Sequence, residues 1–278
     1  MRRYFITGGT GFIGRELVRQ LCSRKDTEEI VLLTRDAQKR YEMYSWGPVK
    51  LYEGDITKTT FPQSRFTDII HGANEANDLL QPDQDRYYYT IVEGTKRIVD
   101  WHTRNQHSAR FLLLSSGVIH KGDTTYTRGK AMAEHLCRFV ASIARIYSVI
   151  GEEMPLNGQY AAGKFFGQAR QGEVRYYDAG YVRSYLHVED CARWCLQILD
   201  QNHVRSIYDV GSLEAIHVAD LAQRIATAMS VPCVDITAPL PHPTAQIYLP
   251  DPEKLPPFCE QKINLDAALE RIACSFRS

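Results

Sequence analysis

Thr7-Gly8-Gly9-Thr10-Gly11-Phe12-Ile13-Gly14 follows the apolar run Tyr4-Phe5-Ile6 and opens a segment in which Phe12, Ile13, Leu17, Val18 and Leu21 share one helical face. A glycine-rich turn between a strand and a helix suits a dinucleotide. Gly8 permits the tight turn, Gly11 lets the backbone approach a pyrophosphate, and Gly14 allows the helix to pack closely on the strand. The N–H groups at the helix start then face the anion, with Phe12 and Ile13 completing the cofactor-facing turn.

Outward from this turn, short apolar runs alternate with helix-periodic stretches. Residues 4–7, 30–34, 49–52, 68–73 and 110–115 read as strands, and 11–23, 88–104 and 126–142 as helices. Strands separated by helices imply right-handed crossovers and a doubly wound parallel sheet of the Rossmann type, the α/β class. A strand over 144–150 is followed by a looser Gly- and Tyr-rich stretch, 151–183. Residues 184–187 and 206–210, flanking a helix at about 189–200, are expected to return to the sheet. A helix over 214–229, an irregular Pro-rich stretch over 237–259 and a closing helix over 263–274 complete the chain. The expected domains are 1–150 plus about 184–212 for the dinucleotide, and about 151–183 plus 213–278 as a smaller substrate lobe.

The chain has 278 residues, enough for such an arrangement without disulfide staples. Lys plus Arg and Asp plus Glu number 33 each, so no net field favours nucleic acid or a membrane surface, and charged ligands must be met locally. Seven scattered cysteines (22, 137, 191, 195, 233, 259, 274) contain no CxxC pair, which argues for a reducing compartment and against a metal site. Met1-Arg2-Arg3 begins like a targeting segment, but Gly8 and Gly9 interrupt the apolar run at once, and no stretch reaches the roughly 18 apolar residues of a membrane span. The expectation is a cytoplasmic protein.

At the end of the second strand the chain reads Thr34-Arg35-Asp36. Arg35 can grip a 2′-phosphate with its guanidinium fork and so favours NADP, whereas Asp36 could take the ribose hydroxyls of NAD. After the third strand, Asp55 of Gly54-Asp55-Ile56 stands near the adenine amine or simply forms a turn. Two YxxxK motifs occur, Tyr126-Thr-Arg-Gly-Lys130 and Tyr160-Ala-Ala-Gly-Lys164. Four-residue spacing on a helix stacks phenol and ammonium on one face, where the ammonium favours the phenolate and the pair can exchange a proton with a carbonyl oxygen. Tyr126 and Lys130 are preferred because they follow the strand that ends in Ser115-Ser116, and ligands of such sheets gather at the carboxyl ends of strands. Ser116 would hydrogen-bond the reacting oxygen.

With these residues in place, the chain resembles an extended short-chain dehydrogenase/reductase of the NAD-dependent epimerase/dehydratase group that acts on nucleotide sugars. The resemblance runs nearly the full length, through residues 7–14, Asp68-Ile-Ile-His71-x-Ala73, Val92-Glu-Gly-Thr95, Ser115-Ser116, Tyr126 to Lys130, Arg145-Ile-Tyr-Ser-Val-Ile-Gly151, Arg183 to Asp190 and Tyr208-Asp-Val-Gly-Ser212. It implies a catalytic triad of Ser116, Tyr126 and Lys130, and cofactor contacts that include Ile56, Ala73 and Lys130. It also implies a diphosphate-binding Arg183 and a homodimer formed through 88–104 and 126–142.

The chain also departs from the family. Ser148 stands at a substrate-binding position where relatives often have Asn, and Ile91 replaces another Asn. Only ten positions separate Ser116 from Tyr126, so the loop that lines the substrate is short. Gly117-Val118 lacks the Asp-Glu pair of sugar dehydratases, and His120-Lys121 replaces Tyr-Gly. These features point away from dehydration, toward an NADP-dependent reductase of a nucleotide-linked 4-keto-(deoxy)sugar. A redox-neutral NAD-dependent 4-epimerase is the alternative, and a non-catalytic cofactor-binding regulator a more distant one.

Overall fold

Continuous buried runs such as Tyr4-Phe5-Ile6-Thr7 and Ile30 to Thr34 need apolar cover on both faces, and the intervening amphipathic segments supply it. The computed structural model describes residues 1–73, 84–156, 160–177, 180–236 and 246–277, apart from the side chains of residues 39, 41 and 44. Its regular elements begin with β1 (Arg2–Thr7), α1 (Phe12–Cys22), β2 (Thr27–Thr34), β3 (Val49–Glu53), β4 (Asp68–His71), α2 (Gln84–Asn105), β5 (Arg110–Ser116), α3 (Thr125–Cys137) and β6 (Ser142–Ile146). They continue with β7 (Val149–Ile150), α4 (Ala161–Ala169), β8 (Val174–Tyr176), β9 (Val182–Ser184), β10 (Leu186–His187), α5 (Val188–Gln201) and β11 (Ile207–Val210). The last elements are β12 (Ala215–His217), α6 (Val218–Met229), β13 (Cys233–Asp235), β14 (Ile247–Tyr248) and α7 (Leu265–Ser275).

Seven strands form one parallel sheet in the order β11-β6-β5-β4-β1-β2-β3. The winding direction reverses between β1 and β4, the switch point at which ligands of such sheets bind. The chain divides into two compact units. The first is Met1–Ile146 with Ala192–Asp209 and Pro256–Phe258; the second is Tyr147–Cys191, Val210–Leu255 and Cys259–Ser278.

In the first unit, one face of the sheet is filled by aromatic residues. The Phe5 ring lies 4.9 Å from Trp101 and 5.4 Å from Phe66, and Phe61 lies 5.3 Å from Trp101. At the amino ends of the strands, the fully buried carboxylate of Asp68 meets Arg2 at 2.6 Å and Arg110 at 2.8 Å, which ties β4 to β1 and β5. In the second unit, β12-β9-β14 form a small sheet, and β7 pairs with β10 and β8 with β13. The buried Asp190 carboxylate accepts the N–H groups of Lys262 and Ile263 at 2.8 and 2.9 Å, fixing the segment that leads into α7.

Several sequence expectations give way here. The 126–142 helix stops at Cys137, and the next apolar side chain, Phe139, is exposed between the guanidinium groups of Arg138 and Arg205. The single strand over 144–150 is two, β6 in the main sheet and β7 paired with β10, because the chain leaves the sheet at Tyr147 and Ser148. Residues 184–187 do not return to the main sheet: β9 pairs with β12 and β14, and β10 with β7. The helix expected over 214–229 begins at Val218, since Ala215–His217 is claimed as a strand by β9. The looser 151–183 stretch contains α4, and the described part of 237–259 contains β14. Residues 237–245 lie outside the described residues.

Candidate active site

The glycine turn carries three different demands. Gly8 has φ +77°, and a Cβ there would lie 2.6–2.8 Å from the Gly72–Ala73 backbone. A Cβ on Gly14 would lie 2.1 Å from the Gly8 carbonyl oxygen. On Gly11, by contrast, a Cβ would meet only that same oxygen, at an ordinary 3.4 Å. The protein therefore requires glycine at 8 and 14, while glycine at 11 keeps clear a surface at the start of α1. Gly11 is also the N-cap of α1, and no side chain caps that helix; Phe12 and Ile13, its first residues, are half-buried. A helix start left uncapped beside a surface kept free of side chains fits the diphosphate of a dinucleotide.

Around this turn, Arg35 is exposed at the carboxyl end of β2 and its charge acts on Asp55. Burial pushes the Asp55 carboxyl upward, but hydrogen bonds from the Thr57 N–H (2.8 Å) and hydroxyl (2.7 Å), with Lys58 and Arg35, hold it below the usual carboxylate range. Asp55 thus closes a local turn. Ile56 is 6 % exposed, its side chain in the core and its carbonyl taken by Arg97 at 3.0 Å. Ala73 is half-buried and donates its N–H to Thr7 Oγ1 at 3.2 Å.

Ser116 ends β5, half-buried, and its hydroxyl oxygen accepts the Val118 N–H at 3.4 Å, capping the short 3-10 turn Gly117–His120. A reciprocal cap between Thr124 and Thr127 starts α3 just before Tyr126. Tyr126 is half-buried, its ring 5.9 Å from that of Tyr87. One turn on, Lys130 is 5 % exposed, its ammonium 5.9 Å from the Tyr126 ring centre and donating to the Leu114 carbonyl at 3.2 Å. Burial pushes the Lys130 amine down to about 8, against the pull of the Glu134 carboxylate. Ser116, Tyr126, Lys130 and the glycine turn all belong to the first unit.

Ser148 and Arg183 belong to the second. Ser148 is half-buried and accepts the Leu186 N–H at 3.0 Å through its carbonyl. Arg183 lies over the Tyr181 ring at 5.2 Å and the Tyr248 ring at 5.5 Å, and its NH1 donates to the carbonyls of Val182 (2.9 Å) and Gln246 (2.7 Å). The second YxxxK also lies there, with Tyr160 62 % exposed ahead of α4 and Lys164 exposed upon it.

Sequence reasoning passed over two supporting groups. Glu134, four residues beyond Lys130, accepts from Ser115 Oγ at 2.6 Å and takes Arg145 on both oxygens, Nε at 3.0 Å and NH2 at 2.8 Å. Arg145 NH1 also donates to His120 Nε2 at 2.9 Å. The spacing Tyr126, Lys130, Glu134 is the signal that could have revealed the first group. The second is His71, 2 % exposed, with Nδ1 2.7 Å from Thr7 Oγ1 and Nε2 3.0 Å from Thr95 Oγ1. A histidine closing the short strand Asp68-Ile-Ile-His71, directly after two isoleucines, is its signal.

Among curated proteins the chain is similar to UDP-glucuronic acid decarboxylase 1 of Arabidopsis thaliana, 24% identical over 99% of this chain and 70% of that protein. It is also similar to the low-salt glycan biosynthesis protein Agl12 of Haloferax volcanii, 26% identical over 81% of each. Among solved structures it resembles dTDP-glucose 4,6-dehydratase of Bacillus anthracis in complex with NAD, at TM-score 0.82 and 15% identity over 100% of this chain and 97% of that one. UDP-glucose 4-epimerase of Thermotoga maritima with UDP-glucose gives TM-score 0.81 and 18% identity over 99% and 98%. These two likenesses establish the shared fold. The family model described as NAD dependent epimerase/dehydratase family matches residues 4–211, three quarters of the chain and all the strands of the main sheet from Tyr4 on, and the protein belongs to that family.

Proposed function

We propose that the protein is an NADP-dependent reductase of a nucleotide-linked 4-keto-(deoxy)sugar. The observation that carries this reading is the buried Lys130 one turn beyond Tyr126, on the helix that follows Ser116. An ammonium with little water around it acts strongly on a neighbouring phenol, and Tyr126 then gives its proton to the carbonyl oxygen. Ser116, whose hydroxyl oxygen already accepts from Val118, keeps its proton for that same oxygen. When bound, the nicotinamide supplies the hydride. Tyr160 and Lys164, both exposed, offer no such environment.

Arg35, exposed at the end of β2, supports NADP, with Gly8, Gly11, Phe12, Ile13, Gly14, Asp55, the Ile56 backbone and Ala73 lining the rest of the cofactor. Arg183, flanked by two tyrosine rings, is assigned to the sugar nucleotide's diphosphate, and Ser148 to the sugar. Relatives named for UDP-glucuronic acid, UDP-glucose and dTDP-glucose support a nucleotide sugar, and the Gly117-Val118 pair argues against dehydration. A homodimer through α2 and α3, in a cytoplasm where the seven thiols stay free, belongs to the same proposal.

Asp36 beside Arg35, together with the NAD dependence in the family's description, favours a second reading, a 4-epimerase that retains its cofactor. One preparation separates the two. The purified protein is assayed with NADPH and CDP-, dTDP-, UDP- and GDP-4-keto-sugars by loss of nicotinamide absorbance, and its bound nucleotide is identified. Oxidation of NADPH by one panel member, lowered by about 10²-fold or more in Tyr126→Phe, is expected. Tightly held NAD and no net oxidation would replace the reductase reading with the epimerase.

A further inference from the structure

His71 faces no solvent, yet its two ring nitrogens join the residue that opens the glycine turn, Thr7, to Thr95 on α2. Thr95 Oγ1 donates to the Ile91 carbonyl at 2.7 Å, which uses its one proton. His71 Nε2 must therefore donate to Thr95 Oγ1, 3.0 Å away. Burial, and secondarily the Lys130 ammonium, hold the imidazole at about 3, so it is neutral and carries no second proton. Nδ1 then accepts from the Thr7 hydroxyl at 2.7 Å, and the Thr7 oxygen, its proton committed, turns a lone pair to the Ala73 N–H at 3.2 Å. The opposite tautomer would leave one of these dry groups unmade, a penalty that buried polar groups rarely carry.

Thr7 immediately precedes Gly8. Its carbonyl also takes the Gly72 N–H, at 2.9 Å, so Thr7 grips both amides of the segment against which the Gly8 turn packs without room for a methyl group. We propose that His71 is a positioning residue for the dinucleotide: acting through Thr7, and oriented by Thr95 on α2, it fixes the Gly72–Ala73 segment against the Gly8 turn and so sets the width of the cofactor cradle. The inference rests on the dinucleotide reading and extends it to three residues that need not touch the cofactor.

The test compares NADPH and NADH affinity, by fluorescence titration, with thermal stability in Thr7→Val, Thr7→Ser, Thr95→Val and Ile98→Val. Ile98 is a buried α2 residue with no part in the chain of hydrogen bonds and serves as the control for packing loss. Thr95→Val removes the acceptor of His71 and is expected to weaken dinucleotide binding by about tenfold, the factor that corresponds to one well-placed hydrogen bond. Thr7→Val should do the same, and Thr7→Ser should stay within about threefold of the parent protein. Ile98→Val should lose stability with its affinity unmoved. Nitrogen-15 NMR should find His71 as the Nε2–H form, without titration between pH 5 and 8 (approximate range).

Wild-type affinity in Thr95→Val, an equal affinity loss in Ile98→Val at matched stability, or an Nδ1–H imidazole would each overturn the proposal. If Thr7→Val does not fold, Thr95→Val and Thr7→Ser decide. Failure of the parent protein to bind either dinucleotide would instead defeat the cofactor reading itself, and this inference with it.

Discussion

A glycine can be required by the fold or by a ligand, and the turn after β1 offers a candidate of each kind. An alanine methyl at Gly14 would sit 2.1 Å from the Gly8 oxygen, where only backbone movement can relieve it. Gly14→Ala should therefore cost about 1–3 kcal/mol of stability and cofactor binding with it. At Gly11 the methyl finds an ordinary contact at 3.4 Å, and φ is −82°, so Gly11→Ala should change stability by only about 0.5 kcal/mol. Its NADPH affinity should nonetheless fall about tenfold or more, because the methyl would occupy the ligand's surface. Thermal melts and fluorescence titration of the two variants check this; equal losses of stability would refute the distinction. The glycine spacing, Ser116, Tyr126 and Lys130 could be singled out as candidates because a motif states residue type and interval together. The relay through His71 was not, since its partners Thr7 and Thr95 lie far apart in sequence and meet only through the pairing of β1 with β4 and the packing of α2.

Helix α3 is the element on which the proposed chemistry rests. Its cap at Thr124 fixes the first turn, and Tyr126, Lys130 and Glu134 then follow at four-residue intervals along one side. The helix buries the Lys130 amine and lowers it from 10.5 to about 8, and two consequences of opposite sign follow. The Lys130 ammonium is lost above about pH 8, so if it assists Tyr126 as proposed, kcat/KM should fall on the alkaline side with a midpoint near there. Between about 8 and 10.5 the unfolded chain holds a proton that the folded one has released, so this group's contribution to stability rises with pH over the same window. Lys130→Arg keeps its charge throughout and should remove that alkaline limb. A limb unchanged in Lys130→Arg would assign the titration to another group.

Element boundaries were harder to read than the elements themselves. The apolar run around 144–150 continues across the point where β6 gives way to β7, and the three-residue β12 is too short to show any period.

For the molecule as a whole, alternation of strand and helix through the first 146 residues was sufficient to anticipate the doubly wound parallel sheet, whereas the place of its switch point came from the strand order. The second unit was less legible because its strands are two or three residues long and pair through contacts distant in sequence. Self-association also belongs to this scale. Helices α2 and α3 pack closely enough that a Cβ on Gly129 would lie 3.2 Å from Ile91, and together they leave Tyr89 55 % and Met132 39 % exposed. The proposed homodimer would cover that apolar surface. Light scattering should give twice the chain mass for the parent protein and a single chain mass for the double variant Tyr89→Glu, Met132→Glu; a monomeric parent would remove the dimer from the proposal.

The hydrogen bonds around His71 also constrain how this sequence can drift. Donors and acceptors alternate from the Ala73 N–H through Thr7, His71 and Thr95 to the Ile91 carbonyl, and at the buried Thr7, His71 and Thr95 no solvent is at hand to substitute for a missing partner. Substitutions at positions 7, 71 and 95 should therefore be non-additive: exchanging one hydroxyl residue for the other should be tolerated, and a change of polarity at one position should cost less when the other two change with it.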